Sequence, residues 1–456
     1  MSTVVYGAAP GWRAPSTFVL ALAAAAVSLG NLWRFSYLSG EYGGAPFLVT
    51  YVLCLFLVAV PVMIAEVVLG RHGRGAPPAA IRHACDRSLL SRGWMWLGVA
   101  ACITGLLVLV FYMVVAGWSL AYAKYMYTGV FSAAPPAEVG LQFSRMVTDP
   151  LPQVYWQSLF MLLVVGVVLL GVRRGLGLLV WLAVPALLAM LGYLVYFAQA
   201  NGDVAAAREF LFSSRLLDFT PRSALVALGH AFFTLGVGVG VGICYGSYAP
   251  ERVRIGRAVV AVAVLDTLVA VLAGLAVFPL VFANNMAPAM GPGLLFVSLP
   301  YAFGNLVQGE VFGPVFFLLV ALAALCTAVA ILEAAVATLM QHLRLSRVTA
   351  TLVAGLAVWL LGLAVVMSFA SEAPPAWYGN RNLFEFLDAV TADVLLPLVS
   401  LATAVFVGWR LRPAILRAEL PHTSARVFRL WLVLLRYVVP GAIGLLVLAA
   451  LFAGVR

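Results

Sequence analysis

The chain has 456 residues, of which 64% are apolar and only 10% charged, against roughly half and a quarter in soluble domains. With a mean hydropathy of +1.06 it has too little charge to cover a water-facing surface, which excludes a soluble enzyme, a secreted disulfide scaffold and a disordered regulator and leaves an all-α polytopic membrane protein. The formal net charge of +10 does not point to nucleic acid, because Lys124 is the only lysine and the arginines cluster in short connections: Arg71, Arg74, Arg82, Arg87 and Arg92; Arg252, Arg254 and Arg257; Arg410, Arg412 and Arg417. That is the positive-inside pattern of a protein whose partner is the lipid bilayer.

Taken in chain order, apolar runs fall near 16–38, 45–69, 94–127, 155–172, 176–199, 223–248, 256–283, 311–341, 347–369, 383–409 and 428–454. Each reaches or approaches the roughly 20 residues that a span requires. The expectation is about eleven transmembrane helices in one multi-pass transmembrane domain, residues 1–456, of a cytoplasmic (inner) membrane. The arginine asymmetry puts the N-terminus in the cytoplasm and, with an odd count, the C-terminus outside. The connections at 128–154, 200–222 and 284–310 are then external, and Met290-Gly-Pro-Gly with Leu299-Pro300 in the last predicts a re-entrant or short helical segment. No cleavable signal peptide is read at the N-terminus. Cys54, Cys85, Cys102, Cys244 and Cys326 are odd in number and lack CxxC spacing, so neither a disulfide framework nor a zinc site is implied.

Two runs are abnormal. The first reads Ala-Ala-Val-Ser-Leu-Gly-Asn-Leu-Trp-Arg-Phe over 25–35, and the sixth carries Gly236, Gly238, Gly240 and Gly242 in alternation. Glycine disfavours a helix by about 1 kcal/mol relative to alanine, and irregular backbone at membrane depth is tolerated only around a cavity. Interrupted helices at corresponding positions of two repeats point to a transporter binding site, whereas small residues alone also serve helix packing. Asp266 inside the seventh run is an intramembrane carboxylate and a functional candidate by default.

The string Ser28-Leu-Gly-Asn-Leu-Trp-Arg-Phe35, followed by Tyr42-Gly-Gly-Ala-Pro-Phe47, strongly resembles the first span of the neurotransmitter:sodium symporter family. Pro61-Val-Met-Ile-Ala-Glu66, Phe111-Tyr112 through Gly-Trp118, Phe232-Phe-Thr234 with Tyr245-Gly-Ser-Tyr248, and Gly291-Pro-Gly through Pro300 continue the resemblance along the chain. It implies the LeuT-type fold, a five-plus-five inverted repeat (about 16–199 and about 223–409) with helices 1 and 6 broken and an extra helix at about 428–454. The implied activity is sodium-coupled symport of neutral apolar amino acids by alternating access, not enzymatic catalysis.

Carried over residue by residue, the resemblance places the substrate among Ala26, Leu29, Gly30, Val108, Tyr112, Phe233, Thr234, Gly236, Val239, Thr327 and Ile331. The backbone N–H groups of Leu29 and Gly30 and the Tyr112 phenol face its carboxylate, and Phe233 forms an aromatic lid. Ser28 stands where monoamine-carrying relatives have an aspartate. A first sodium site is implied at Ala26, Asn31, Thr234 and Asp266, and a second at Ala24, Val27, Ala323, Cys326 and Thr327. Arg34 and Asp388 would form the outer gate, and Glu66 would accept hydrogen bonds from N–H groups freed by the break in span 6.

Several positions depart from the family pattern. Cys326 replaces an oxygen ligand with a soft thiol, a poor partner for sodium, so one or two ions are expected. Asp266 supplies a fixed negative charge, so chloride is not expected. The inner-gate pair is missing, with Ala9 and Gln341 at its two positions beside Trp12, and Arg13 is a substitute. His230 replaces a glutamine and is expected to be a neutral, hydrogen-bonded imidazole. Proton coupling through Asp266 or Glu66, and a non-transporting amino-acid sensor on the same fold, are the alternatives. An intramembrane hydrolase finds no Ser-His pair and no second carboxylate to match Asp266. The oligomeric state is left open.

Overall fold

The computed structural model of the protein describes residues 11–32, 34–286, 292–306, 308–370 and 381–453. Ala9, Trp33, Met290 and Gly291, named above, lie outside the described residues. The described chain is helical: α1 (Pro15–Ala26), α2 (Leu29–Glu41), α3 (Ala45–Gly73), α4 (Pro77–Ser88), α5 (Arg92–Tyr127), α6 (Pro136–Thr148), α7 (Pro150–Leu169), α8 (Val172–Asn201) and α9 (Val204–Phe212). It continues through α10 (Pro221–Thr234), α11 (Val241–Tyr248), α12 (Ile255–Ala283), α13 (Leu294–Gly304), α14 (Gly309–His342), α15 (Arg347–Phe369), α16 (Leu383–Arg410), α17 (Pro413–Glu419) and α18 (Ala425–Ala449).

Among the described residues nine helices are long and apolar enough to cross a membrane unbroken. A tenth span is the pair α1 and α2, bent by 61°. With α10 and α11 flanking the second break, the eleven apolar runs are accounted for, and the first and sixth are the interrupted ones. Span boundaries shift where local chemistry sets them. Helix α7 starts five residues before the expected 155, because the Asp149 side chain accepts from Leu151 N and Pro150 occupies the first turn. The arginine-rich connection after α3 is itself a helix, α4, and the 284–310 connection holds the short helix α13. Phe296 of α13 seats edge-on against Trp118 and Tyr122 of α5, with ring centroids 5.6 and 4.9 Å apart.

The longest interfaces pair α5 with α14, α11 with α3, and α8 with α12. The contact of α11 with α3 is backbone on backbone. A Cβ on Gly70 would run into the Ile243 carbonyl, and one on Gly246 would meet the main chain of Val67. Small residues of this kind let helices approach closely where no water drives them together. The long helices form a frame around the two broken ones, and the breaks lie side by side within it.

Candidate functional site

Helix α1 ends at Ala26, with Val27 turned to extended backbone (ψ 105°), and α2 begins at Leu29. Helix α10 ends at Thr234, and the chain reaches Val241 through Gly236, Gly238 and Gly240, all at positive φ. Four helix ends therefore meet in the interior, two presenting carbonyls and two presenting N–H groups. Glu66 of α3, fully buried, accepts a 2.8 Å hydrogen bond from Gly238 N in the second break. A Cβ on Gly242 would collide with its other oxygen, so the carboxylate lies flat against the start of α11. In the first break Ser28 N donates to Asn31 Oδ1 at 2.9 Å.

Asn31, Thr234 and Asp266 are brought together from α2, α10 and α12, each no more than 2% exposed. Asp266 Oδ1 accepts from Asn31 Nδ2 at 2.7 Å, and Oδ2 accepts from the Thr234 hydroxyl at 2.7 Å. Tyr51 OH lies at 3.5 Å from the same Oδ2. A second cluster forms around the Thr327 hydroxyl of α14, which lies 3.2, 3.3 and 3.4 Å from the carbonyls of Ala25, Val27 and Ala323. One hydroxyl proton faces three carbonyl oxygens, which leaves hard acceptors crowded around one point. Val27 and Ala323 were expected at this site, and Ala25 joins them in reach of Thr327. Cys326 is buried and makes no hydrogen bond among the described residues.

Between the two clusters lies a cavity of about 40 Å³, walled by Ala25, Ala26, Ser28, Val108, Tyr112, Phe233 and Thr234 and by Leu235, Gly236, Val239, Val241, Thr327, Ile331 and Leu396. Leu29 and Gly30, expected in the same wall, line instead a larger vestibule of about 470 Å³, together with Tyr112, Phe233, Arg34 and Asp388. Tyr112 and Phe233 thus form the partition between the two spaces. The Leu29 N–H donates to Tyr112 OH at 3.4 Å and the Gly30 N–H to Ser28 Oγ at 3.2 Å. Both donors hold weak local acceptors that a stronger anion can displace. Ala25, Leu235, Val241 and Leu396 complete the wall and were not singled out from sequence. Only their placement at the breaks, or opposite them, marks them.

The two ends of the cavity differ. Above Phe233, Arg34 and Asp388 stand 3.9 Å apart, each about one-third exposed, and the Arg34 guanidinium lies 5.2 Å over the Phe233 ring. A pair this exposed contributes at most about 1 kcal/mol. At the other end Trp12 is buried, donating from N to the Tyr248 carbonyl at 3.0 Å and from Nε1 to the Val172 carbonyl at 3.1 Å. Its ring stands edge-on to Tyr245 and Tyr248.

Beside Trp12 stands a buried ion pair that the sequence did not single out. Glu333 of α14, wholly buried, accepts from Tyr248 OH at 2.8 Å and is bridged by Arg347 of α15 through both guanidinium nitrogens. Arg347 also donates to the Val168 carbonyl at 2.9 Å. Gln341 accepts from Ala76 N at 2.8 Å, and Arg13 makes no ion pair among the described residues. His230 also departs from expectation: it is buried between Phe35 and Tyr51 at ring distances of 5.6 and 5.5 Å. Among the described residues neither of its nitrogens has a hydrogen-bond partner.

Removing the Glu333 carboxylate leaves Arg347 and Tyr248 without their shared acceptor. Glu333→Ala is expected to lower stability by about 3 kcal/mol, the lower end for a broken buried pair because Arg347 is partly solvated. It should also speed alkylation of Cys244, one turn from Tyr248, by a polar maleimide. Peptide mapping of labelled protein reads this, and an unchanged rate at an unchanged unfolding midpoint would remove the latch from the gate.

The chain matches the model of the sodium:neurotransmitter symporter family over residues 10–135 and 138–454. It is 33% identical to the uncharacterised sodium-dependent transporter YhdH of Bacillus subtilis (strain 168), over 95% of both chains. It is 26% identical to the bovine (Bos taurus) sodium-dependent dopamine transporter over 87% of this chain and 62% of that one. The crystal structure of MhsT in complex with L-phenylalanine superposes with a TM-score of 0.88 at 35% identity, covering 96% of this chain and 99% of MhsT. Those likenesses extend along the whole chain and include both broken helices, and the protein belongs to the sodium:neurotransmitter symporter family, with the LeuT-type five-plus-five inverted-repeat fold.

Proposed function

We propose that the protein carries neutral, apolar α-amino acids into the cell with sodium, by alternating access around the central cavity. The observation that carries this reading is the composition of the wall. Its side chains are apolar except for the hydroxyls of Ser28, Tyr112, Thr234 and Thr327. No carboxylate lines it among the described residues. A bare amine finds no counter-charge there, whereas a zwitterion matches the helix ends. The start of α2, with the Leu29 and Gly30 N–H groups and Tyr112, offers donors and a positive dipole to the carboxylate. The ends of α1 and α10 at Ala26 and Thr234 offer carbonyls to the ammonium group. The phenylalanine held by MhsT is in keeping with an apolar side chain.

Two oxygen clusters fit sodium as co-transported cargo. At the first, Ala26, Asn31, Thr234 and Asp266 supply carbonyl, amide, hydroxyl and carboxylate oxygens. Asn31 turns its amide over to present Oδ1 when the ion enters. The Asp266 charge balances the ion without chloride. At the second, the carbonyls around Thr327 are the ligands, and Cys326 adds none. We infer one repeat over about 16–199 and the other over about 223–409, with Arg34 and Asp388 closing the outer side. We infer from the arginine-rich connections that the Trp12 end faces the cytoplasm, in an inner membrane.

Uptake into proteoliposomes tests the reading. Radiolabelled apolar amino acids should accumulate only with an inward sodium gradient, equally well in chloride and in gluconate, and their decarboxylated amines should not compete. An amine that competes as well as its parent acid would sink the substrate assignment. Uptake driven by a proton gradient without sodium would replace the coupling ion. Sidedness is read separately: a phosphatase reporter fused after Arg92 should be inactive and one after Arg456 active, and equal activity contradicts the topology.

Cys326→Thr restores a hard ligand at nearly constant volume. It is expected to raise the apparent sodium affinity of substrate binding severalfold without changing which amino acids bind. A sodium titration of the two proteins checks this, and an unchanged midpoint would place residue 326 outside the ion's shell.

A further inference from the structure

A third cavity, of about 270 Å³, shares no lining residue with the two on the substrate path. It lies between α4 and the turn that follows α14, at the end assigned above to the cytoplasm. Three guanidinium groups reach it from three separate elements: Arg74 from the end of α3, Arg82 from α4 and Arg344 from the turn after α14. His83, His342 and Gln341 complete its polar wall. Asp86 is the single carboxylate in the lining, and Arg92 already engages it at 2.8 Å. Arg74 is partly engaged, donating to the Ala249 carbonyl at 2.7 Å and lying 3.8 Å from Glu251, which is 91% exposed. Among the described residues Arg82 and Arg344 have neither an ion pair nor a side-chain hydrogen bond.

Arginines at this end of a membrane protein are ordinary when they spread into solvent. These converge on one concave space with their own carboxylate drawn off to another partner. The charge of the lining is positive, three guanidinium groups against one carboxylate that Arg92 already holds. Like charges facing a shared cavity are stabilised by an anion that enters it. Planar guanidinium forks match phosphate oxygens two at a time, with more strength than a point charge gives.

We propose that this cleft binds a phosphate group, seated between Arg82 and Arg344 with Arg74 and His83 behind it. The space has room for the phosphate and the first atoms of an ester. Basic pockets facing the cytoplasmic leaflet take phospholipid headgroups, and a soluble phosphate ester presents the same chemistry. Gln341 already ties the end of α14 to the start of α4 through Ala76 N at 2.8 Å. A phosphate held by both elements adds a second tie at the same junction. The proposal is independent of which amino acid is transported.

The test uses the full-length protein. In detergent, the thermal unfolding midpoint is followed during titration with inorganic phosphate and pyrophosphate, against sodium chloride at matched ionic strength. In parallel, the protein is reconstituted in nanodiscs of phosphatidylcholine alone or with about one-third phosphatidylglycerol. Phosphate or phosphatidylglycerol is expected to raise the midpoint by about 3 °C or more, as a ligand of the folded state does. The double variant Arg82→Gln/Arg344→Gln should require about tenfold more ligand for the same shift, while Arg426→Gln, an arginine outside the cleft, follows the wild type. If the double variant fails to fold, Arg344→Gln alone, in an exposed turn, gives the same reading. A response in detergent identifies a soluble phosphate, and a response only with phosphatidylglycerol identifies a headgroup. A midpoint that phosphate and phosphatidylglycerol leave unmoved, a shift matched by chloride, or an undiminished shift in the variants overturns the site.

Discussion

The bond from Gly238 N to Glu66 carries the constraint on which the rest of this structure depends: backbone polar groups freed at membrane depth must find partners inside the protein. Breaking two helices at mid-membrane releases N–H and C=O groups that water cannot reach. Here the partners are buried side chains, one from an unbroken helix and two from the broken span itself. Glu66 on α3 serves the second break, while Ser28 and Asn31 serve the first. The close approach of α3 and α11 through Gly70 and Gly246 puts Glu66 where it is needed. The breaks are therefore parts of the frame and cannot move without it.

The same unpaired groups supply the chemistry. Carbonyl ends of α1 and α10 and the N-terminal end of α2 meet with opposite partial charges a few ångströms apart. Asp266, Asn31 and Thr234 concentrate polar atoms on one side of the cavity, and the three carbonyls around Thr327 do so on the other. Between them the wall is apolar. That division is what the proposed reading rests on: a zwitterion with a hydrophobic side chain in the cavity and small cations at the oxygen clusters beside it.

The two closures are built from different materials, and this sets how the molecule responds. At the outer end Arg34 and Asp388 are part-solvated and 3.9 Å apart, over a Phe233 ring that only thinly separates vestibule from cavity. At the Trp12 end the closure is buried, aromatic and ionic: Trp12 on Tyr248, Tyr248 on Glu333, Glu333 on Arg347. The weaker closure lies on the side that carries the large vestibule. The Trp12 end is held by buried contacts and the Arg34 end by a part-solvated pair.

The sequence by itself determined the membrane class, the eleven apolar runs, the two breaks and the family, because hydropathy and glycine placement are local properties and the Ser28–Phe35 string is read without geometry. Asp266 stood out as an intramembrane carboxylate, and the family resemblance marked Asn31, Thr234, Glu66, Tyr112 and Phe233. The resemblance grouped Asn31, Thr234 and Asp266, and the tertiary structure supplied the bonds by which they meet. The structure put Leu29 and Gly30 on the vestibule side of the partition and Leu396, 130 positions from Asp266 in the chain, into the cavity wall. It also left His230 among aromatic rings instead of hydrogen-bond partners. The inner latch shows the reason most clearly. Glu333 and Arg347 lie 14 positions apart on different helices, and Tyr248 comes from a third. No spacing rule connects them, and their pairing exists only because α11, α14 and α15 pack around Trp12.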